Sequence, residues 1–228
     1  MNALIILALF LAWPQSTDKK DQPLASTTNP AYLSCTVWTG KSWTSPATRS
    51  ARTPLMKSSR GLLAYGEVKA AANGGECENT TELYVAAGPG EQFRRVYTKG
   101  PSDSGGNGIR LVGWSPSGDQ LLAEVTVWEY ETDRGFGYIP VIYNTSTNST
   151  KEIPALGKAL DRFLGSDCEF EQSVRGWKNE RRIIVQVSRT PLSDEYEQHF
   201  CFNKPKLLDY DLQKDTLQYI RSASARPK

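Results

Sequence analysis

The chain has 228 residues, of which 39% are hydrophobic and 23% are charged, and its formal net charge is +2 at pH 7. This length is sufficient for one domain with a sizeable core, and all-β domains of this size are often undivided. So small a net charge gives no reason to expect a partner selected by electrostatics, and the composition does not suggest nucleic acid.

The N-terminus carries an unbroken apolar run over residues 3–13, which ends at Pro14. The run has the length of the apolar region of a signal peptide and is too short to span a bilayer comfortably. We predict a signal peptide or N-terminal hydrophobic segment at residues 1–16, a flexible linker at residues 17–30, no membrane span in the mature chain, and a periplasmic or secreted location. No Lys or Arg precedes the run and no A-x-A site follows it, so an uncleaved anchor or a misassigned start codon stays open.

Four widely spaced cysteines agree with export, because disulfides persist in oxidising compartments. No C-x-x-C occurs, which argues against a zinc knuckle or a thioredoxin-type site. Of three possible connectivities we favour Cys35–Cys77 and Cys168–Cys201, since each bridge then ties neighbouring segments. Each would add ~3–4 kcal/mol on the loop-closure model. The alternative is four reduced thiols in the core.

Short apolar segments bounded by turn residues predict antiparallel strands through most of the chain. One or two short strands and a loop are expected within residues 31–57. Further strands are expected at residues 61–68, 82–87, 93–97, 109–114, 121–130, 138–143 and 150–153. Turns are expected at residues 73–75, 88–90, 115–119 and 144–148, and a Gly/Ser/Asp loop at residues 102–108. The last four strands occupy about 45 residues, the size of a propeller blade.

The remainder of the chain repeats this plan after one short helix, predicted at residues 155–164. Gly176-Trp177 repeats Gly113-Trp114 at a spacing of 63 residues, and residues 210–217 repeat the hairpin that begins at Tyr143. A turn at residues 178–181 and a strand at residues 183–187 complete the third block. The long separation is explained by the helix and by a hairpin loop at residues 188–206.

Residues 113–122, Gly-Trp-Ser-Pro-Ser-Gly-Asp-Gln-Leu-Leu, carry a family resemblance. They resemble the W-S-P-D-G motif of TolB-like, WD40-like β-propeller repeats, with Ser117 in place of the usual Asp. The match is loose over residues 109–153 and degenerate over residues 173–220. The resemblance implies a blade-type sheet with Trp114 packed between sheets, and says little about activity, because propellers host binding, scaffolding and catalysis.

The expected fold is therefore all-β, with antiparallel four-stranded blade-like meanders and at most one short helix, in a single propeller-like domain at residues 31–228. Closed propellers need about four to eight blades, whereas two clear units and a partial one at residues 61–97 are visible. A partial or deviant β-propeller, a sandwich of such sheets, and a pairing of open edges with a second subunit all remain open.

The sequence gives no clear catalytic, cofactor or metal site. His199 is the only histidine, and no G-x-S-x-G nucleophile motif occurs. One histidine cannot make a His-rich metal site. A calcium loop that begins at Asp103 would lack oxygen ligands at its third and twelfth positions, Gly105 and Trp114. Residues 105–108 also lack the Lys-Ser/Thr of a phosphate loop.

Aromatic and acidic residues at the end of the long strand are the most suggestive set. We predict a binding surface made of Trp128, Glu129, Tyr130, Glu131 and Tyr138, because exposed aromatic rings can stack on a sugar or a peptide. The structural alternative is that these rings pack against the N-terminal segment or the next sheet.

The sequence favours a non-catalytic binding or protein-interaction module without a cofactor, whose partner is a protein, a peptide or a carbohydrate. One alternative is an extracytoplasmic hydrolase that uses the carboxylates of residues 124–133, since two carboxylates roughly 5–9 Å apart can serve glycoside hydrolysis. Another is a subunit of a homo-oligomeric propeller.

Overall fold

A computed structural model describes residues 30–32, 37–38, 41, 43–44, 49–73, 76–102, 105–129, 137–165, 168–188 and 202–220. Within them the chain forms strands and one helix, α1 (Ala155–Leu164), whose bounds match the prediction. The strands are β1 (Ala31–Tyr32), β2 (Val37–Trp38), β3 (Trp43–Thr44), β4 (Arg49–Arg52), β5 (Met56–Lys57), β6 (Leu63–Asn73), β7 (Glu76–Ala86), β8 (Arg94–Ser102), β9 (Gly105–Trp114), β10 (Gln120–Glu129), β11 (Gly137–Asn144), β12 (Ser149–Glu152), β13 (Glu171–Asn179), β14 (Arg182–Ser188), β15 (Lys206–Asp211) and β16 (Thr216–Tyr219).

The strands form three larger antiparallel sheets that follow one another along the chain. The first sheet has the order β4-β6-β7-β8, with β5 also paired to β6; the second is β1-β9-β10-β11-β12; the third is β13-β14-β15-β16. β2 and β3 form a separate two-stranded ribbon. The predicted all-β fold of antiparallel meanders with one short helix is therefore confirmed.

Two apolar layers hold the three sheets together. One layer, between the first and second sheets, contains Val68, Leu83 and Ile109. The other, between the second and third sheets, contains Leu208, Tyr210 and residues of α1. Along β10 the side chains alternate between the layers, which explains why this strand is almost continuously buried.

The predicted corner at residues 115–119 is a tight turn, and the first sheet contains a second copy of it. Ser115 N–H donates to the carbonyl of Gln120 at 2.7 Å, and Ser58 N–H donates to the carbonyl of Leu62 at 2.8 Å. Gly118 and Gly61 occupy the same place in the two turns, with φ of 76° and 87°, values that favour glycine. The copy in the first sheet was not recognised in the sequence, because its residues include neither the tryptophan nor the proline of the later corner.

The corner turns also connect one sheet to the next. A Cβ on Gly118 would lie 2.6 Å from Ser59 Oγ in the first sheet. On the other side, Ser117 N–H and Oγ–H donate to the carboxylate of Glu180 in the third sheet, at 2.6 and 2.9 Å. Burial opposes ionisation of Glu180, but these hydrogen bonds prevail and lower its pKa. The corner that dominates the sequence is thus a link between all three sheets.

The residues paired in the predicted tryptophan and hairpin repeats have similar surroundings. Trp114 packs against the layer between the first two sheets and Trp177 against the layer between the last two. In the hairpins, Asn144 and Asp211 each accept hydrogen bonds from backbone N–H groups two and three residues later. Tyr143 O–H donates to Asn148 and Tyr210 O–H donates to Asp215 in the same way.

Three predictions need correction. One or two short strands were expected within residues 31–57, but the described part of this range holds five, β1 to β5. The Gly/Ser/Asp loop expected at residues 102–108 is wrong, because β9 begins at Gly105, and Gly105, Gly106 and Gly108 pair with β10. Asn107 also donates through its backbone N–H and side-chain amide to Asn79, at 3.1 and 3.2 Å. The partial unit at residues 61–97 is a fuller sheet, because β4 and β5 occupy the fourth strand position beside β6.

Charged side chains form a network of ion pairs on the outward face of the first sheet. Glu67 and Glu82 are cross-strand neighbours, each only 3% exposed, and they alternate with the core residues Val68 and Leu83, so they face away from the second sheet. Their partners are Arg52 on Glu67 at 3.0 Å, Arg95 on Glu82 at 2.6 Å, and Lys69, which contacts both carboxylates. The face therefore combines a charge network with an aromatic cluster, in which Tyr65 stacks on Tyr84 and contacts Phe93 edge-on.

The outward face of the third sheet also carries a charge network. The side chain of Asp209 is fully buried, and Lys178, Arg182 and Gln218 surround it, the last two at 2.6 and 3.0 Å. Burial opposes ionisation of Asp209, but these partners lower its pKa. The stack thus ends in charge networks on both sides within the part of the chain that the structure describes.

We expect acid to destabilise the protein through Glu82. Burial opposes its ionisation, but hydrogen bonds from Lys69, Tyr84 and Arg95 lower its pKa from 4.5 to about 2. This stabilisation is present above pH 4.5 and is lost as the pH falls through about 2. It amounts to at most ~3 kcal/mol, and solvent screening of the exposed cations reduces it.

Urea unfolding as a function of pH measures this effect. As the pH falls from 4.5 towards about 2, the difference in unfolding free energy between the wild type and Glu82→Gln should decrease. A difference that stays constant over that range would contradict the assignment.

Candidate functional site

The predicted aromatic and acidic surface lies largely outside the described residues. The backbones of Trp128 and Glu129 end β10, paired with Gly106 and Gly105, and the structure describes nothing of their side chains. Tyr130 and Glu131 are outside the described ranges. Tyr138, the remaining member, is half-buried on β11. The surface as a whole therefore stays a prediction.

Tyr138 lies beside a cleft between the second and third sheets, with a volume of about 240 Å³. We call it the β13 cleft because four consecutive or near-consecutive residues of β13 line it. Its lining residues are Pro30, Arg110, Glu124, Tyr138, Glu171, Gln172, Ser173, Arg175 and Ser188.

A buried ion pair lies in the lining of the β13 cleft. Arg110 Nη2 lies 2.5 Å from Glu124 Oε1, and the two side chains are 10% and 3% exposed. Arg110 and Glu124 face each other across β9 and β10. A charge at this depth needs a partner and further hydrogen bonds to offset its desolvation.

The third sheet supplies those hydrogen bonds. Val174 N–H donates to Glu124 Oε2 at 2.6 Å, and Arg110 Nη2 donates to the carbonyl of Val174 at 2.8 Å. Arg110 also donates to Ser173 Oγ at 3.0 Å. In an antiparallel ladder one residue exchanges both its N–H and its C=O with a partner residue. The side chains of Arg110 and Glu124 therefore satisfy the backbone N–H and C=O of Val174, as a neighbouring strand would.

Two polar atoms in the lining residues are left over. Arg110 Nη1 and Gln172 Oε1 are buried and have no hydrogen-bond partner among the residues that the structure describes. The orientation of the Gln172 amide is defined, because its Nε2 donates to the carbonyl of Tyr138 at 3.0 Å. The lining residues thus hold one unpaired charged donor and one unpaired acceptor, which are costly to leave unsatisfied.

The two acidic residues that line the cleft differ in their contacts. Glu124 is held by Arg110 and Val174. Burial raises the pKa of Glu171, the first residue of β13. Arg175 Nε donates to Gln186 Oε1 at 3.0 Å, which fixes the guanidinium at the rim of the cleft.

No protein-family model, curated protein or solved structure matches the chain.

The remaining candidate features can be placed only in part. Cys168 is disulfide-bonded, but Cys35 and Cys201 lie outside the described residues, so the two predicted pairings stay predictions. His199 and Asp103 lie outside them as well. Among the residues that are described, no cluster of His, Cys, Asp and Glu could hold a metal ion, and no helix combines the length and apolarity needed to cross a membrane.

Sequence reasoning missed Arg110 and Gln172, although a signal for Arg110 was present. Arg110 lies between Ile109 and Leu111, and Glu124 lies between Ala123 and Val125. A charged residue inside each of two strands that are otherwise apolar, in one predicted hairpin, indicates a buried cross-strand pair. Nothing comparable marks Gln172, whose role depends on a neighbouring sheet.

Proposed function

We propose that this chain is an exported, disulfide-containing, β-propeller-like module that binds a partner without catalysis. The W-S-P-S-G corner, the blade-like meanders, the apolar N-terminal run and the bonded state of Cys168 support this proposal. Cys35–Cys77 and Cys168–Cys201 are the pairings that we favour. The charge networks on the outer faces of the first and third sheets favour a self-contained stack over a subunit of a homo-oligomeric propeller.

The β13 cleft is the binding site in this proposal. The observation that carries it is the cavity between the second and third sheets, whose lining residues include Arg110 and Gln172. Arg110 Nη1 and Gln172 Oε1 are enclosed and have no hydrogen-bond partner among the described residues, so a ligand that displaces the side chains around them can satisfy both. Tyr138 at the same cleft connects the site with the aromatic surface predicted from sequence.

Titration with small polar probes tests the proposal. We expect N-methylacetamide, acetate or methyl glucoside at millimolar concentration to shift the backbone ¹H–¹⁵N signals of residues 171–175 and Tyr138. Gln172→Leu should weaken the response of the best probe, because it removes the unpaired acceptor. Gln218→Leu is the matched control, since Gln218 contacts Asp209 on the outer face of the same sheet.

Absence of any probe response at residues 171–175, or equal weakening by both leucine variants, would contradict the binding site.

Glu171 favours a second candidate function, a hydrolase. Its pKa is raised by burial, and it lines the cleft together with Glu124, whose carboxylate is held by Arg110, so the two carboxyl groups have the different environments that an acid and its partner carboxylate need. If this function holds, the chain cleaves model glycosides or esters and Glu171→Gln abolishes cleavage. Turnover that Glu171→Gln leaves unchanged would exclude it.

A further inference from the structure

We propose that the ligand of the β13 cleft is an extended peptide segment, which adds as a short strand to the edge of β13 that faces the cleft, at Gln172. This inference rests on the proposed function, because it specifies what the same cleft binds.

No described strand pairs with the edge of β13 that faces the cleft. Within the described part of the chain, β13 pairs only with β14. The bonds of Val174 to Glu124 and Arg110 show that its N–H and C=O point to the opposite edge. Backbone direction repeats every two residues in a strand, so the N–H and C=O of Gln172 point to that same edge and towards the cleft.

The Arg110–Glu124 pair limits how far a strand can extend. It already occupies both backbone groups of Val174, so an added strand can pair at Gln172 but not at Val174. The cleft, at about 240 Å³, is smaller than the ~300–1,000 Å³ of typical small-molecule sites. Both observations fit a short segment of two or three residues rather than a long strand.

The chemistry of the unpaired atoms matches a peptide group. A peptide unit carries one N–H and one C=O. Both atoms are enclosed in the free protein; once neighbouring side chains move aside, the C=O can accept from Arg110 Nη1 and the N–H can donate to Gln172 Oε1. A carboxylate has only acceptors and leaves Gln172 Oε1 unsatisfied. A sugar hydroxyl can do both, but it does not reproduce the spacing of N–H and C=O that the backbone of Gln172 presents.

The molecule already uses this mode of binding once. β1 is a two-residue strand, and it pairs antiparallel with the edge of β9, with Ala31 opposite Ile109 and Tyr32 opposite Gly108. Pro30, directly before β1, lines the β13 cleft. An inner sheet edge that borders this cleft therefore accepts a short extended segment, as edge strands do when peptides bind by strand addition.

The experiment begins with a phage-displayed library of random octapeptides selected on the full chain. The strongest peptide is synthesised unmodified and in two N-methylated forms, in which alternate residues are methylated so that only one backbone edge is blocked in each. Strand addition predicts that blocking one edge weakens binding by roughly tenfold or more, because two hydrogen bonds are lost. Blocking the other edge should leave the affinity within about threefold.

Variants of Gln172 locate the effect. Gln172→Pro removes the outward N–H, which an edge strand tolerates, and Gln172→Leu removes only the side-chain acceptor. Both should weaken peptide binding by roughly tenfold, whereas Gln218→Leu should not. Thermal unfolding of each variant confirms that it is folded.

The outcomes separate this inference from the proposed function. Equal binding of the two methylated peptides, or binding that both Gln172 variants leave unchanged, would overturn strand addition. Failure to select any peptide, while the small probes still bind at residues 171–175, would overturn the peptide ligand and leave the binding site intact. Preferential binding of methyl glucoside over N-methylacetamide would point to a carbohydrate and would also overturn the inference.

Discussion

Replacing Arg110 by methionine should lower the free energy of unfolding by about 3–5 kcal/mol. The substitution leaves the carboxylate of Glu124, 3% exposed, without its cation, and leaves the carbonyl of Val174 without its donor. A buried charge that loses its partner retains the full cost of desolvation. Urea titration of both proteins at pH 7 measures the difference.

Two further variants make the Arg110 result interpretable. Lys99→Met is the matched control, because Lys99 and Glu152 form an ion pair in which both side chains are about one third exposed, at 35% and 34%. Its loss should cost at most ~1 kcal/mol. The double variant Arg110→Met, Glu124→Leu should recover part of the stability, since no unpaired carboxylate remains. An Arg110→Met protein as stable as Lys99→Met would refute the structural role of the pair.

Replacing Trp177 by alanine should cost about 3–5 kcal/mol of unfolding free energy. Trp177 packs against the layer between the second and third sheets, and its Nε1–H donates to the carbonyl of Gly113 at 2.9 Å. The substitution thus removes both packing and a bond between two sheets. Guanidinium titration, followed by far-ultraviolet circular dichroism, measures the loss.

A pair of phenylalanine variants separates the bond from the packing. Trp114 is the repeat counterpart of Trp177, and its buried Nε1 has no hydrogen-bond partner among the described residues. Trp177→Phe should therefore cost about 1 kcal/mol more than Trp114→Phe, because only the former breaks a hydrogen bond. If both cost the same, the bond to Gly113 contributes nothing to stability.

Local patterns in the sequence were sufficient for most of the secondary structure. The helix was predicted with its observed bounds, and the strands around Gly113-Trp114 and Gly176-Trp177 were predicted to within a few residues. Alternation, turn residues and helical periodicity act over a few neighbours, so one chain displays them directly. The loop expected at residues 102–108 failed for the same reason, because glycines that signal a turn locally are held in β9 by pairing with β10.

The candidate site was much less predictable. Of the five residues proposed from sequence, Tyr138 lines the cleft, and the side chains of the other four lie outside the part of the chain that the structure describes. The residues that give the cleft its chemistry come from separate hairpins: Arg110 and Glu124 from one, Gln172 and Val174 from another, some 50–64 residues apart. Sequence can suggest that Arg110 and Glu124 pair with each other, but not that together they take the place of a strand.

The sequence by itself determined that this protein is a series of antiparallel meanders with a repeated tryptophan corner. The alternation of apolar and polar residues along a strand, and the residue types that favour turns, can be recognised among neighbouring residues. Only the tertiary structure decided that the corner links three sheets through Ser117 and Glu180, that the outer faces carry charge networks, and that no described strand pairs with the edge of β13 at Gln172. These features arise where separate sheets meet. Their energies depend on burial and on the direction of backbone groups, and neither is fixed until the sheets are stacked.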